Sequence, residues 1–93
     1  MDTLFLFYVW CVSVAADEKT YLVAANTVAE AISTIPSWYR QDFTVEYATL
    51  DQAIDHGAKY YGGDLVIFED KWFEYNHKTN HLEYDCDVNH AVL

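Results

Sequence analysis

Basic residues are scarce in this chain of 93 amino acids: five Lys and Arg stand against 15 Asp and Glu, for a formal net charge of −10. Such a surface repels nucleic acid and anionic membranes alike, so neither is expected as a direct partner, and the partner this charge favours is basic. Proline occurs once and glycine three times, which leaves little for a flexible hinge. No low-complexity linker, basic tail or lipidation motif is present. The two cysteines, Cys11 and Cys86, form no C-x-x-C pair; they are expected to be buried, reduced thiols of a cytoplasmic protein, with a disulfide between them as the competing reading. No Gly-rich phosphate loop is found, because Gly62-Gly63 follows an expected helix whereas phosphate cradles precede one. No apolar run reaches the roughly 20 residues a membrane-crossing helix needs.

What the chain does have is apolar and aromatic weight, 53% and 17% of residues, too much for a disordered chain despite the charge. At this length one compact domain spanning residues 1–93 is expected. Its organising stretch is Leu4 to Val14. Read as a strand, it sends Leu4, Leu6, Tyr8, Trp10, Val12 and Val14 to one face and Phe5, Phe7, Val9, Cys11 and Ser13 to the other. Both faces are apolar, which suits the middle of a covered sheet. A secretory signal is the alternative, but the segment ahead of the run, Met1-Asp2-Thr3, is acidic where an export signal is basic.

Thr20 to Ala25 continues as a second strand. Two capping boxes then mark helix starts, Thr27-Val28-Ala29-Glu30 and Thr49-Leu50-Asp51-Gln52. Pro36 stops the first helix near Thr34, and the second is expected to run through about Tyr61 with Gly57 inside it. Phe43 to Tyr47, Asp64 to Phe68, Trp72 to His77 and His81 to Val88 read as further strands, the last two joined by a Lys78-Thr79-Asn80 loop. The expected fold is α+β: a mixed, mostly antiparallel sheet of five or six strands with two short helices on one face. Two short helices cannot cover both faces, so a homodimer through Phe5, Phe7 and Val9 is expected.

Three constellations carry candidate chemistry. With His77 facing His81, alternation puts Glu83, Asp85 and Asp87 on one face with Phe73 and Tyr75. That makes an acidic ladder with steps of about 6.8 Å, close to alternate phosphates, joined by Glu69, Asp70 and Glu74. A solvated edge that discourages strand pairing is the plainer explanation of the same residues. Trp38, Tyr39 and Arg40, just after Pro36, are candidate binding anchors, with Trp38 capping the core as the alternative. His77, His81, Cys86 and His90 are weak metal candidates.

Asp51, Asp55 and His56 share the second helix, where a solvent face explains the two carboxylates, and no Ser or Cys is recognisably activated beside a His. No enzyme and no cofactor are therefore expected. Size and charge together suggest a small non-enzymatic inhibitor, acting in the host cytoplasm on a basic nucleic-acid-binding host protein. Phage-encoded anti-CRISPR, anti-restriction and transcription-inhibitor proteins supply the analogy, in which carboxylates stand in for phosphates. The alternatives are a homo-oligomeric assembly protein and a metal-binding domain.

Overall fold

A computed structural model describes residues 3–88 of the chain. In chain order it holds β1 (Phe5–Val12), β2 (Glu18–Ala25), α1 (Val28–Ser33), a 3-10 turn (Ser37–Tyr39), β3 (Asp42–Tyr47), α2 (Leu50–Asp55), β4 (Lys59–Gly62), β5 (Leu65–Phe68), β6 (Lys71–Asn76) and β7 (His81–Asp87). Strand β1 is the hub, as its two apolar faces suggest. One edge pairs with β2 along its whole length, Phe5 opposite Ala25 through Val12 opposite Glu18. The other edge is shared: β3 pairs with Phe7 to Cys11, and β7 meets the start of the strand at Phe5. The sheet runs β2-β1-β7-β6-β5-β4 with β3 attached beside β1.

The architecture is α+β, but two details differ from expectation. The described residues form seven strands, and every pairing between them is antiparallel. The added strand is β4, cut from what reads as the tail of the second helix. Gly57 has φ +98°, a left-handed conformation that suits glycine just past a helix end, so the helix stops at Asp55 and the chain re-enters the sheet at Lys59. Gly57 is thus a helix terminator rather than an interior residue.

The helices also lie on opposite faces of β1 rather than on one. Ala31 of α1 packs with Phe7 and Ala25, and Ile35 just beyond the helix packs with Val9 and Cys11. Ala53 of α2 joins the other cluster, with Leu6, Leu22, Val66, Phe73 and Leu82. This corrects the expected dimer contact. Phe7 and Val9 are fully buried within one chain, and Phe5 is half-buried, edge-on to the rings of Tyr47 and His81. Phe7 and Val9, facing into a packed interior, cannot also face a second molecule.

Both helix starts are capped. Thr49 accepts from the amide of Gln52 (3.1 Å) while the Gln52 side chain accepts from the amide of Thr49 (3.0 Å), a complete capping box. At α1 the Thr27 hydroxyl accepts from the amide of Glu30 (3.1 Å), but the Glu30 carboxylate reaches one residue further back, to the amide of Asn26 (2.9 Å).

Candidate functional site

The β6–β7 hairpin decides which acidic residues stand together, and its turn decides the hairpin. Asn76 pairs with His81, leaving His77 to Asn80 as the loop. The Asn76 side chain accepts from the amides of Lys78 (2.9 Å) and Thr79 (3.4 Å), and Asn80 closes the turn at φ +62°. The expected pairing of His77 with His81 is therefore out by one residue on β6, and in a sheet a one-residue shift exchanges the faces. Phe73 pairs with Tyr84 and Tyr75 with Leu82, all on the inner side; Glu74 pairs directly with Glu83 on the outer side.

A bulge then corrects the phase. Between Trp72 and Phe73 the register shifts, so that Asp85 is the extra residue, Cys86 lies opposite Trp72 on the outer face, and Asp87 lies opposite Lys71 on the inner one. Glu83, Asp85 and Asp87 consequently do not form a ladder on one face. Phe73 is fully buried and is not an accessible anchor, and Tyr75 is half-buried against the same core, its hydroxyl donating to Asn80 (3.0 Å). Glu74, Glu83 and Asp85 are brought together, beside an open cleft of about 530 Å³ whose lining also includes Tyr75, Tyr84 and Lys78.

Like charges directly opposite each other in a sheet repel. Glu83 is held by the Thr79 hydroxyl (3.3 Å) and the Asn76 amide (3.4 Å), neither of which neutralises it. Among the described residues no Lys or Arg pairs with a carboxylate, and the only salt-bridge-range contact is the hydrogen bond between His77 Nε2 and Asp64. Lys78 lines the same cleft without pairing to a carboxylate, Lys71 stands opposite Asp87, and the other three cations are engaged elsewhere. Lys19 lies over the rings of Tyr21 (5.1 Å) and Tyr39 (5.8 Å), and Lys59 over Tyr61 (5.5 Å). Arg40 donates to the carbonyls of Ser33 (3.1 Å) and Ile35 (2.8 Å), closing the end of α1. Of the Trp38-Tyr39-Arg40 group, only Trp38 is left largely free, 62% exposed, while Tyr39 is half-buried near Tyr21.

Glu69 and Asp70 form the two-residue turn between β5 and β6, both at left-handed φ (52° and 61°). That is the type I′ pattern, for which Asn-Gly is the favoured sequence. Asp87 accepts from the Tyr84 hydroxyl (2.9 Å). This hydrogen bond, then burial, then the negative charges of Asp87, Cys86 and Asp85 raise the Tyr84 phenol above the usual tyrosine range. A group that holds its proton more tightly when folded loses stability as pH climbs past the unfolded value near 10. Ultraviolet titration should show one tyrosine ionising after the others, and Asp87→Asn should bring it back toward them; an unchanged titration would mean that the bond does not form.

The described histidines do not converge on one point. His77 is paired with Asp64, His81 is stacked on Tyr47 (3.4 Å between ring centres, 11° between planes), and Cys86 faces Trp72 across the hairpin. His90 lies outside the described residues. Among those described, no group of three or more potential ligands is assembled. Cys11 and Cys86 are both free, and burial first of all pushes both thiols up, away from the reactive thiolate.

One pairing had no signal in the sequence. Nδ1 of His56 contacts the Gln52 carbonyl (3.0 Å), which can only accept, so in neutral His56 the Nε2 atom accepts from the Thr20 hydroxyl (2.8 Å). A hydroxyl against an oriented imidazole resembles an activated nucleophile. Neither residue lines the cleft at Glu74 or the smaller one at Thr49 to Asp51 and Tyr75, and the pair ties β2 to the end of α2.

No protein-family model matches the chain, and no curated protein or solved structure is significantly similar to it. Among the described residues no helix is long and apolar enough to cross a membrane.

Proposed function

We propose that the chain is a small, non-enzymatic binding protein that engages a basic, nucleic-acid-handling host protein through the carboxylates around β6 and β7. The reading extends to an inhibitor of the phage-encoded kind, directed at host defence or transcription and competing with the partner's nucleic acid. One observation carries it: Glu74, Glu83 and Asp85 gather at one hairpin with no Lys or Arg paired to them, in a chain of net charge −10. Stability alone disfavours that arrangement, since opposed like charges cost free energy and Lys78, which lines the same cleft, pairs with none of them. A basic partner supplies the missing counter-charge. Because the three-step ladder is broken at Asp85, the carboxylates act as a cluster rather than as a copy of phosphate spacing.

The test begins with affinity capture from host lysate and continues with the purified partner. Binding should weaken about tenfold or more between about 50 and 200 mM salt and should compete with the partner's nucleic acid. The triple variant Glu74→Lys, Glu83→Lys, Asp85→Lys should stay folded and lose binding. Salt-insensitive binding, or full binding by the triple variant, removes the proposal.

A further inference from the structure

We infer that the outer face of β4 to β7 docks a basic amphipathic helix of the partner, an inference that rests on the basic-partner reading above and gives it a contact surface. The register puts Tyr61, Leu65, Ile67, Trp72 and Cys86 on this side, with the Tyr61 and Trp72 ring centres 5.0 Å apart. Among the described residues no helix packs closely here: α1 sits on β1, β2 and β3, and α2 contacts β1 and β5 with its buried Ala53 in the inner core. Tyr61 is 51% exposed, and the other four side chains are half-buried. Trp72 Nε1 is buried and has no acceptor among the described residues, so it is the ring face and not this atom that the strip offers.

The chemistry around this strip selects the occupant. Glu69 and Asp70 stand at the turn beside it, Glu74 and Glu83 are cross-strand neighbours on it, and Asp85 is exposed at the bulge, five carboxylates against Lys59 on this side and Lys78 at the cleft beside Glu74. A second copy would set this rim against its own like, with −10 on each molecule. A partner with apolar residues flanked by Lys and Arg meets both the strip and the rim, the arrangement of an aromatic hot spot inside a polar border. Four strands at about 4.8 Å spacing make a face roughly 14 Å wide, enough for one helix of about 10–12 Å diameter. The same sheet already takes a helix in this way where α1 covers β1.

The experiment uses the full chain, labelled with nitrogen-15, and two synthetic peptides of about 18 residues. One carries Leu at i, i+3, i+4 and i+7 with Lys and Arg elsewhere. The other has the same composition reordered, so that its Leu residues share no face. The amphipathic peptide should bind at least about tenfold tighter, with shifts centred on Tyr61, Ile67 and the Trp72 indole N–H, and Ile67→Lys should weaken it about tenfold. Tyr61→Glu, at a more exposed position, serves the same purpose if Ile67→Lys fails to fold. Equal binding of both peptides, with shifts only at carboxylates, overturns the docking face and leaves the basic-partner reading standing. Binding of neither peptide overturns both. A dimer in sedimentation that Tyr61→Glu disperses shows the face to be a contact between copies, and overturns the inference.

Discussion

Phe73→Ala should lower the unfolding free energy by about 3–5 kcal/mol in urea denaturation. A 93-residue domain holds roughly 5–14 kcal/mol in all, so at the lower end of that range this variant should retain only about 0–2 kcal/mol. Phe73 is fully buried among Leu6, Val66 and Leu82, with its ring edge-on to Tyr84 at 6.2 Å, and truncation leaves a cavity that rigid strands on both sides cannot close. Its sequence neighbour provides the contrast. Glu74→Ala removes one of two opposed carboxylates and should leave stability unchanged or raise it by about 0.2–1 kcal/mol. If Phe73 were a surface anchor, its truncation would reduce binding and spare the fold. A loss below about 1 kcal/mol would therefore reject the inner placement of Phe73 and the register that puts it there.

The second large effect has the opposite sign. Glu69→Asn combined with Asp70→Gly should stabilise the protein by about 1–2 kcal/mol, a Tm increase of roughly 5–10 °C in calorimetry. Both residues hold left-handed φ, which costs an ordinary L-residue about 1–2 kcal/mol and glycine almost nothing. The gain has two sources: relief of backbone strain and removal of two negative charges from a chain that is already strongly negative. Asp70→Asn alone separates them, because it removes a charge and keeps a side chain. Under the proposed function the same double variant should bind its partner more weakly. A turn that is less stable than it could be, in the position where charge meets the partner, is the pattern expected when binding and stability compete. Unchanged or lower Tm in the double variant would mean that the turn carries no strain.

Several features of the fold are legible in residue order alone. The two apolar faces of Leu4 to Val14 put that strand at the centre, where β1 is found, and Thr27 and Thr49 mark both helix starts. Pro36 stops the first helix where expected, and Phe43, Val45 and Tyr47 share a face of β3 against Cys11, Val9 and Phe7. Strand β4 is not legible, because Lys59-Tyr60-Tyr61 continues a helical pattern as well as it forms a strand, and the deciding fact is the φ of Gly57. The sides taken by the helices are set by chain crossings that no local pattern records.

The site was harder to read than the fold, for one reason. Face assignment in β7 depends on counting loop residues correctly and on one extra residue at Asp85. Asn76 and Asn80 are the clue to the loop: one side chain captures two amides and the other residue takes the left-handed turn position. The bulge leaves no comparable mark, since Tyr84-Asp85-Cys86-Asp87 alternates as well without it. Acidic character at β6 and β7 was therefore visible, while the company it keeps was not: Glu74 and Glu83 with Trp72, instead of Glu83 and Asp87 with Phe73.

Nuclear Overhauser contacts across the β6–β7 hairpin test this most directly, because the outward gathering of Glu74, Glu83 and Asp85 follows from that register alone. The account predicts backbone contacts between Glu74 and Glu83 and between Trp72 and Cys86, with the Phe73 ring contacting Tyr84 and Leu82. Contacts that pair Phe73 with Asp85, or Tyr75 with Glu83, would contradict it.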